Sequence, residues 1–307
     1  MVVQLFTRPG KYSSNPPTHI YVYEVGFPVY FLPNRNRSWM DARRNRLFYV
    51  KLSANHFPRS VAMRTIQMLR YIDKQGFRKS LEDELNNHLT LNHPIVAELL
   101  TPKRNLDLLK ALTLQGYQLT KNFSVYIEHL YFYCPLPKHK RRLLCNLYEE
   151  ETGRLSGTKN HLELMQDFIR ALGISDVERD SVEAYPETAE LIRYRMDAVS
   201  APRTYHIGAA AVLIASEGQN LETRAGEARH EILGRLYGIR EKDLLFFSVH
   251  AKEDVGHVRE GLELVSDYCT TARMKDEALY AVGHTCKLFW NMYEGVFKRH
   301  CQADALV

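Results

Sequence analysis

The chain has 307 residues, 45% hydrophobic and 25% charged, which is the composition of an ordinary globular protein with a core large enough to need no disulfide staples. Its five scattered cysteines (Cys134, Cys145, Cys269, Cys286 and Cys301) form no CxxC pair, which disfavours a Cys-ligated zinc and points to reduced thiols in a cytoplasmic protein. A formal charge of +5, spread among acids apart from the locally basic Arg35–Arg46, disfavours a nucleic-acid partner, and neither a membrane span of roughly 18 apolar residues nor a signal-peptide core is expected.

Residues 1–75 read as an N-terminal extension. Tyr21–Leu32 and Leu47–Leu52 are rich in aromatic and β-branched residues, but Pro28 and Pro33 argue against a central strand, so edge strands or extended arms are expected, with a helix around Arg59–Lys74. Residues 76–307 read as one helical domain. Leu81–Leu100 is helical, with Pro94 bending or dividing it, and Leu106–Tyr133 reads as one long helix closed by Pro135 and Pro137. Arg141–Glu151 stops at Thr152-Gly153, and Asn160 caps His161–Leu172, which ends at Gly173. Pro186–Val199, Tyr205–Glu217, Leu221–Tyr237, Lys242–Thr271 and Met274–His300 complete the pattern. Short connections and absent strand signals predict an all-α bundle of about seven or eight helices.

Within Leu245–Val258, His250, Asp254 and His257 fall at steps of four and seven, within about 40° of one helix face. Imidazole and carboxylate are the ligand set of Zn, Mn and non-haem Fe sites, although two surface histidines and a solvated Asp have the same spacing. Other helices supply further candidates. Glu149, Glu150 and Glu151 end one helix, where the dipole disfavours negative charge, and Glu151 is placed to meet His161 across a tight connection. Glu217 follows the small, apolar run Ile207–Ser216, and a carboxylate on a buried face needs a partner or a metal. Glu128 lies in the aromatic stretch Val125–Tyr133, which makes it a seventh candidate beside Glu151, His161, Glu217, His250, Asp254 and His257.

In this order the residues resemble the haem-oxygenase-like diiron oxidases and oxygenases: Asn146–Gly153 with Glu151, then His161–Leu164, then Glu217 after an Ala-rich helix, then His250, Asp254 and His257. The resemblance covers about residues 81–298 and leaves residues 1–75 outside. It implies the haem-oxygenase-like bundle of about seven helices shared with thiaminase-like proteins. It also implies two Fe(II) ions on those six positions, with Glu128 matching an extra carboxylate of members that oxygenate nitrogen. The implied activity is O2-dependent oxidation of a small amino-acid- or amine-derived metabolite, first N-oxygenation through a peroxo-diferric species, otherwise desaturation or C–C cleavage of an amino or fatty acid. A reductase and a homodimer are implied partners. Arg193, Arg195 and Arg203 are candidates to pair with a substrate carboxylate, and Tyr126, Phe168, Tyr205 and Phe247 to shape the pocket. Two rival readings keep the fold: a metal-free thiaminase-like or binding protein, and a self-modifying protein whose own tyrosine is the substrate.

Overall fold

Pro94 opens a helix, because its fixed φ suits the first turn and its missing N–H would break a helix interior. In the computed structural model, which describes residues 21–22, 48–49, 74–221 and 228–301, the first helical stretch is therefore two helices, α1 (Lys74–Asn87) and α2 (Pro94–Leu99). The expected single helix over Leu106–Tyr133 is likewise two, α3 (Leu106–Thr120) and α4 (Phe123–Tyr133). At the break, the Asn122 side chain donates to the Gln118 carbonyl at 2.8 Å, a local bond that competes with helix continuation.

α5 (Pro137–Thr152) stops at Gly153, whose φ of +61° is the left-handed cap conformation. A Cβ on Gly153 would lie 2.1 Å from the Lys159 carbonyl oxygen, so only glycine allows the tight return to α6 (His161–Ala171). Asn160 caps α6 by accepting from the Glu163 N–H at 2.8 Å. Then follow α7 (Asp176–Ser181), α8 (Pro186–Val199) and α9 (Tyr205–Ala209), which widens into a π-helix over Ala210–Ser216. α10 (Arg229–Tyr237), α11 (Leu245–Tyr268) and α12 (Ala272–Cys301) complete the chain's helices among the described residues.

By its contacts the chain divides into Met1–Ile66 and Gln67–Val307. In the first unit, β1 (Tyr21–Val22) and β2 (Phe48–Tyr49) pair antiparallel, with Tyr21 opposite Tyr49 and Val22 opposite Phe48. The helix expected over Arg59–Lys74 lies outside the described residues except for Lys74, which opens α1.

The π segment is the axis of the second unit. Every residue from Ala210 to Ser216 is buried, and α11 and α12 both pack against it. Small side chains let the neighbours come close: a Cβ on Gly261 of α11 would lie 2.7 Å from the Leu213 carbonyl oxygen. Around this axis Phe77, Leu81 and Leu85 of α1, Tyr126 and Leu130 of α4, and Val282 of α12 form the main apolar core. None of the described helices is long and apolar enough to cross a membrane.

Candidate metal centre

Polar side chains enter this core from four elements. α5 contributes Glu149 and Glu150, α6 contributes His161, the end of the π segment contributes Glu217, and α11 contributes His250, Asp254 and His257 with the part-buried Glu253. They sort into metal-competent groups whose donor atoms lie within 4.8 Å of one another: Glu150, His161 and His250; Glu217, Asp254 and His257; and Glu149, His161 and Glu253.

In the first group, His161 Nδ1 lies 3.0 Å from Glu150 Oε2, and the His161 and His250 rings are 4.6 Å apart. His250 Nδ1 lies 2.6 Å from the Phe246 carbonyl oxygen, which sets Nδ1 as the donor and leaves Nε2 as a free lone pair. In the second, His257 Nδ1 is 3.5 Å from Glu217 Oε1 and 3.6 Å from Asp254 Oδ1. Asn220 donates to Asp254 Oδ2 at 2.8 Å, on the oxygen away from His257, while Asn146 donates at 3.3 Å to Glu217 Oε1, the oxygen that His257 also faces.

Burial and the mutual repulsion of its carboxylates govern the electrostatics of the cluster. Burial pushes the Glu150 carboxyl up to about 8, and Glu217 and Asp254 add to the shift. Glu217 is raised by its own burial and by Asp254. Burial alone would lower His257, but Glu217 and Asp254 push it up to about 11. His161 is lowered by burial, against the pull of Glu253 and Glu149. Buried polar atoms normally have partners. Here His161 Nδ1 and Nε2, His257 Nδ1, Glu150 Oε1 and Glu253 Oε2 are buried without a well-aligned hydrogen bond, although carboxylate oxygens lie close to both imidazoles. Imidazole and carboxylate atoms left without aligned hydrogen bonds and lying within 4.8 Å of one another fit a divalent first-row metal, iron included.

Five of the residues singled out from sequence, His161, Glu217, His250, Asp254 and His257, are brought together here. Two are not. Glu151 is exposed, and Glu150 occupies the inward position. The buried residues of α5 are His139, Leu143, Asn146, Glu149 and Glu150, a stripe at steps of three and four that takes in Glu149 and Glu150 and turns Glu151 outward, roughly 100° from Glu150. Glu128 is also exposed, because α4 buries Tyr126, Ile127 and Leu130 on its other side, so it supplies no seventh donor.

Sequence reasoning missed Glu253, whose position three after His250 was a readable signal, and it missed the distinct role of Glu149. The Glu149 carboxylate accepts from the Leu155 N–H at 2.6 Å, the Ser156 N–H at 3.2 Å and the Ser156 hydroxyl. Although its burial acts the other way, these bonds hold Glu149 below the usual carboxylate range. Glu149 therefore anchors the α5–α6 loop and leaves Glu150 free.

A cavity of about 250 Å³ adjoins the centre, with Glu150, Glu217 and His250 in its wall and Leu109, Leu112, Phe123, Phe247 and Met292 among its apolar lining. Of the four aromatic residues expected to shape a pocket, Phe247 lines it, while Tyr126, Phe168 and Tyr205 are core residues outside its wall. Arg195 lines it too, whereas Arg193 and Arg203 are exposed.

Residues 110–290 match the family model described as iron-containing redox enzyme. Among curated proteins, the chain is 30% identical over 164 residues to a 4-aminobenzoate synthase of Nitrosomonas europaea, covering 53% of this chain and 63% of that protein's length. It is 26% identical over 195 residues to a 4-aminobenzoate synthase of Chlamydia muridarum, covering 62% of this chain and 78% of the relative. Among solved structures, a TenA homolog from Pseudomonas syringae superposes with a TM-score of 0.60 at 15% identity, covering 74% of this chain and 96% of the other. A domain with a heme oxygenase-like fold from Shewanella denitrificans gives 0.59 at 18%, covering 76% and 96%. These structural likenesses establish the fold. The all-α haem-oxygenase-like fold read from the sequence is therefore present, and the chain belongs to the iron-containing redox enzymes.

Proposed function

We propose that the chain is a non-haem diiron oxidase or oxygenase that uses O2 to oxidise a small amino-acid- or amine-derived metabolite. One observation carries this reading: two metal-competent triads, Glu150–His161–His250 and Glu217–Asp254–His257, both reach the wall of one largely apolar cavity, the first through Glu150 and His250 and the second through Glu217. The first triad would hold one iron and the second the other, and the pair would supply O2 activation and redox capacity. The chain's own residues do the rest. The Phe246 carbonyl fixes the His250 tautomer, Asn146 and Asn220 orient Glu217 and Asp254, and the apolar lining keeps water from the bound metabolite. An external reductant would restore the ferrous state between turnovers.

N-oxygenation keeps the support of the family resemblance but not of a seventh ligand, since Glu128 faces solvent. A second oxidative outcome is favoured by the curated relatives. Both named relatives are 4-aminobenzoate synthases, which points to an amine-bearing carboxylic acid as product or close analogue. The metal-free, thiolate-based alternative fits the TenA-like structural neighbour, but burial pushes the Cys269 and Cys286 thiols up to about 12, which keeps both protonated.

The test is anaerobic Fe(II) loading followed by exposure to ¹⁸O2 with a panel of amino acids, arylamines and fatty acids. Two irons per chain and substrate-stimulated O2 uptake are expected. Label in an N–O product assigns N-oxygenation, and an unlabelled alkene assigns desaturation. Less than one iron per chain, or activity unchanged in His250→Ala, overturns the reading.

A further inference from the structure

Arg195 is the largest fully buried side chain among the described residues, at 1% exposure. Its guanidinium lies 4.8 Å from the Tyr126 ring centroid and 5.6 Å from that of Phe289. Nη1 donates to the Ser216 hydroxyl at 3.3 Å. Nε and Nη2 are buried without a well-aligned hydrogen bond, the Tyr126 hydroxyl is a polar group beside the guanidinium, and no carboxylate among the described residues forms an ion pair with this cation. A buried charge is normally paired, because desolvation is costly and aromatic faces recover only part of that cost. Arg193 and Arg203, exposed to water, have no such need.

The two orphaned nitrogens are chemically specific. Nε and Nη2 form one edge of the guanidinium and present parallel N–H donors, the geometry that binds both oxygens of a carboxylate. The position is equally specific. Ser216, which holds Nη1, is followed directly by Glu217, and Arg195, Ser216, Glu217, Glu150 and His250 all line the same cavity. The remaining wall is largely apolar, and about 250 Å³ exceeds the roughly 150 Å³ cavity that takes up benzene. Space therefore exists for a ring or short chain together with an anionic group.

We propose that Arg195 is the receptor for the carboxylate of the molecule oxidised at the metal centre, gripping it through Nε and Nη2 and thereby directing the rest of the molecule toward Glu150, Glu217 and His250. This assignment rests on the iron-oxidase reading above and narrows its substrates to carboxylates. It also explains why an unpaired cation is kept in an aromatic cage: the missing anion arrives with the ligand. Among the described residues a second guanidinium lines the cavity, that of Arg229, whose Nη2 donates to the Asn220 carbonyl at 2.8 Å.

The experiment measures binding of 4-aminobenzoate, L-tyrosine and hexanoate against their neutral amides by calorimetry, on iron-loaded protein kept anaerobic and on metal-free protein. In the wild type at least one acid is expected to bind about tenfold or more tighter than its amide, as a charge-assisted pair implies. Arg195→Met should abolish that preference, Arg195→Lys should keep part of it, and Arg229→Met should keep it. Arg195→Met should load the same iron and melt no lower than wild type without ligand, which separates lost recognition from lost folding. The proposal is overturned if no acid is preferred by the wild type, if Arg195→Met retains the preference, or if only Arg229→Met loses it. Iron content and O2 uptake are read separately. A chain that loads iron and consumes O2 without preferring carboxylates sinks the role of Arg195 alone, and one that takes up no iron sinks the oxidase reading.

Discussion

Asn220 donates to Oδ2 of Asp254 at 2.8 Å, leaving Oδ1 turned toward His257 at 3.6 Å. The bond ties the end of the π-helical element to α11, two segments separated by a long stretch of chain, and sets the carboxylate in one orientation. Partners of this kind behind a ligand typically contribute about 10–100-fold in metal affinity or activity. Asn220→Ala is therefore expected to weaken Fe(II) binding by about that factor, as read by competition with a chelator, while far-ultraviolet circular dichroism stays unchanged.

The register of α5 makes a sharper prediction. Glu150 is buried beside His161, and Glu151 points to solvent. Glu150→Gln should lower the iron content per chain by about half or more, since it removes an anionic donor from one triad. Glu151→Gln and Glu128→Gln should leave iron content and O2 uptake unchanged. Equal losses in Glu150→Gln and Glu151→Gln would contradict this register.

Gly153 carries a fold prediction that reaches the site. Its φ of +61° and the 2.1 Å approach a Cβ would make to the Lys159 carbonyl oxygen mean that Gly153→Ala both strains the cap and displaces the loop. A loss of about 1–3 kcal/mol in denaturant unfolding is expected. Because Glu149 anchors this loop through Leu155 and Ser156, the variant should also bind less iron than wild type.

Away from the centre, His93 supplies a pH dependence. Its Nδ1 accepts from the Ile95 N–H at 3.1 Å to start α2, and its Nε2 lies 3.3 Å from Glu294. Burial lowers its pKa, opposed in part by Glu294. The sign follows from proton counting. Below about 6.5 the unfolded chain takes up a proton at this residue before the folded chain does, so stability is full above that pH and falls as pH drops. Denaturant unfolding at pH 7.5 and 5.5 should show this loss in the wild type. His93→Asn keeps a capping acceptor without the titration, so its loss over the same range should be smaller.

Much of the architecture was legible along the chain. Capping residues are local chemistry, so Asn160 and Gly153 marked their helix boundaries correctly, as did the prolines at 94 and 186, whereas Pro137, read as closing the preceding helix, opens α5 four residues before the expected Arg141. The break between α3 and α4 was not legible, since Asn122 stops the helix through a side-chain bond that its surroundings select over solvent. At the centre, His250, Asp254 and His257 share a face by periodicity alone, and Glu217 was marked by the apolar run before it. Three consecutive glutamates look alike until the helix face is fixed, and the buried stripe through His139, Leu143 and Asn146 turns Glu151, not Glu150, to solvent. Glu128 failed for the same reason: an aromatic neighbourhood does not say which side of α4 is inside.

The helical class, the order of the metal-competent residues and the family they resemble can be read along the chain, because periodicity, caps and spacing are properties of a single segment. Packing settles that Glu149 and Glu150 of α5 turn inward and Glu151 outward, that Asn146 and Asn220 bond Glu217 and Asp254, and which of three nearby arginines loses its water. Those outcomes depend on helix rotation and packing against segments far along the chain, and burial, which makes an unpaired charge costly, exists only once those segments meet.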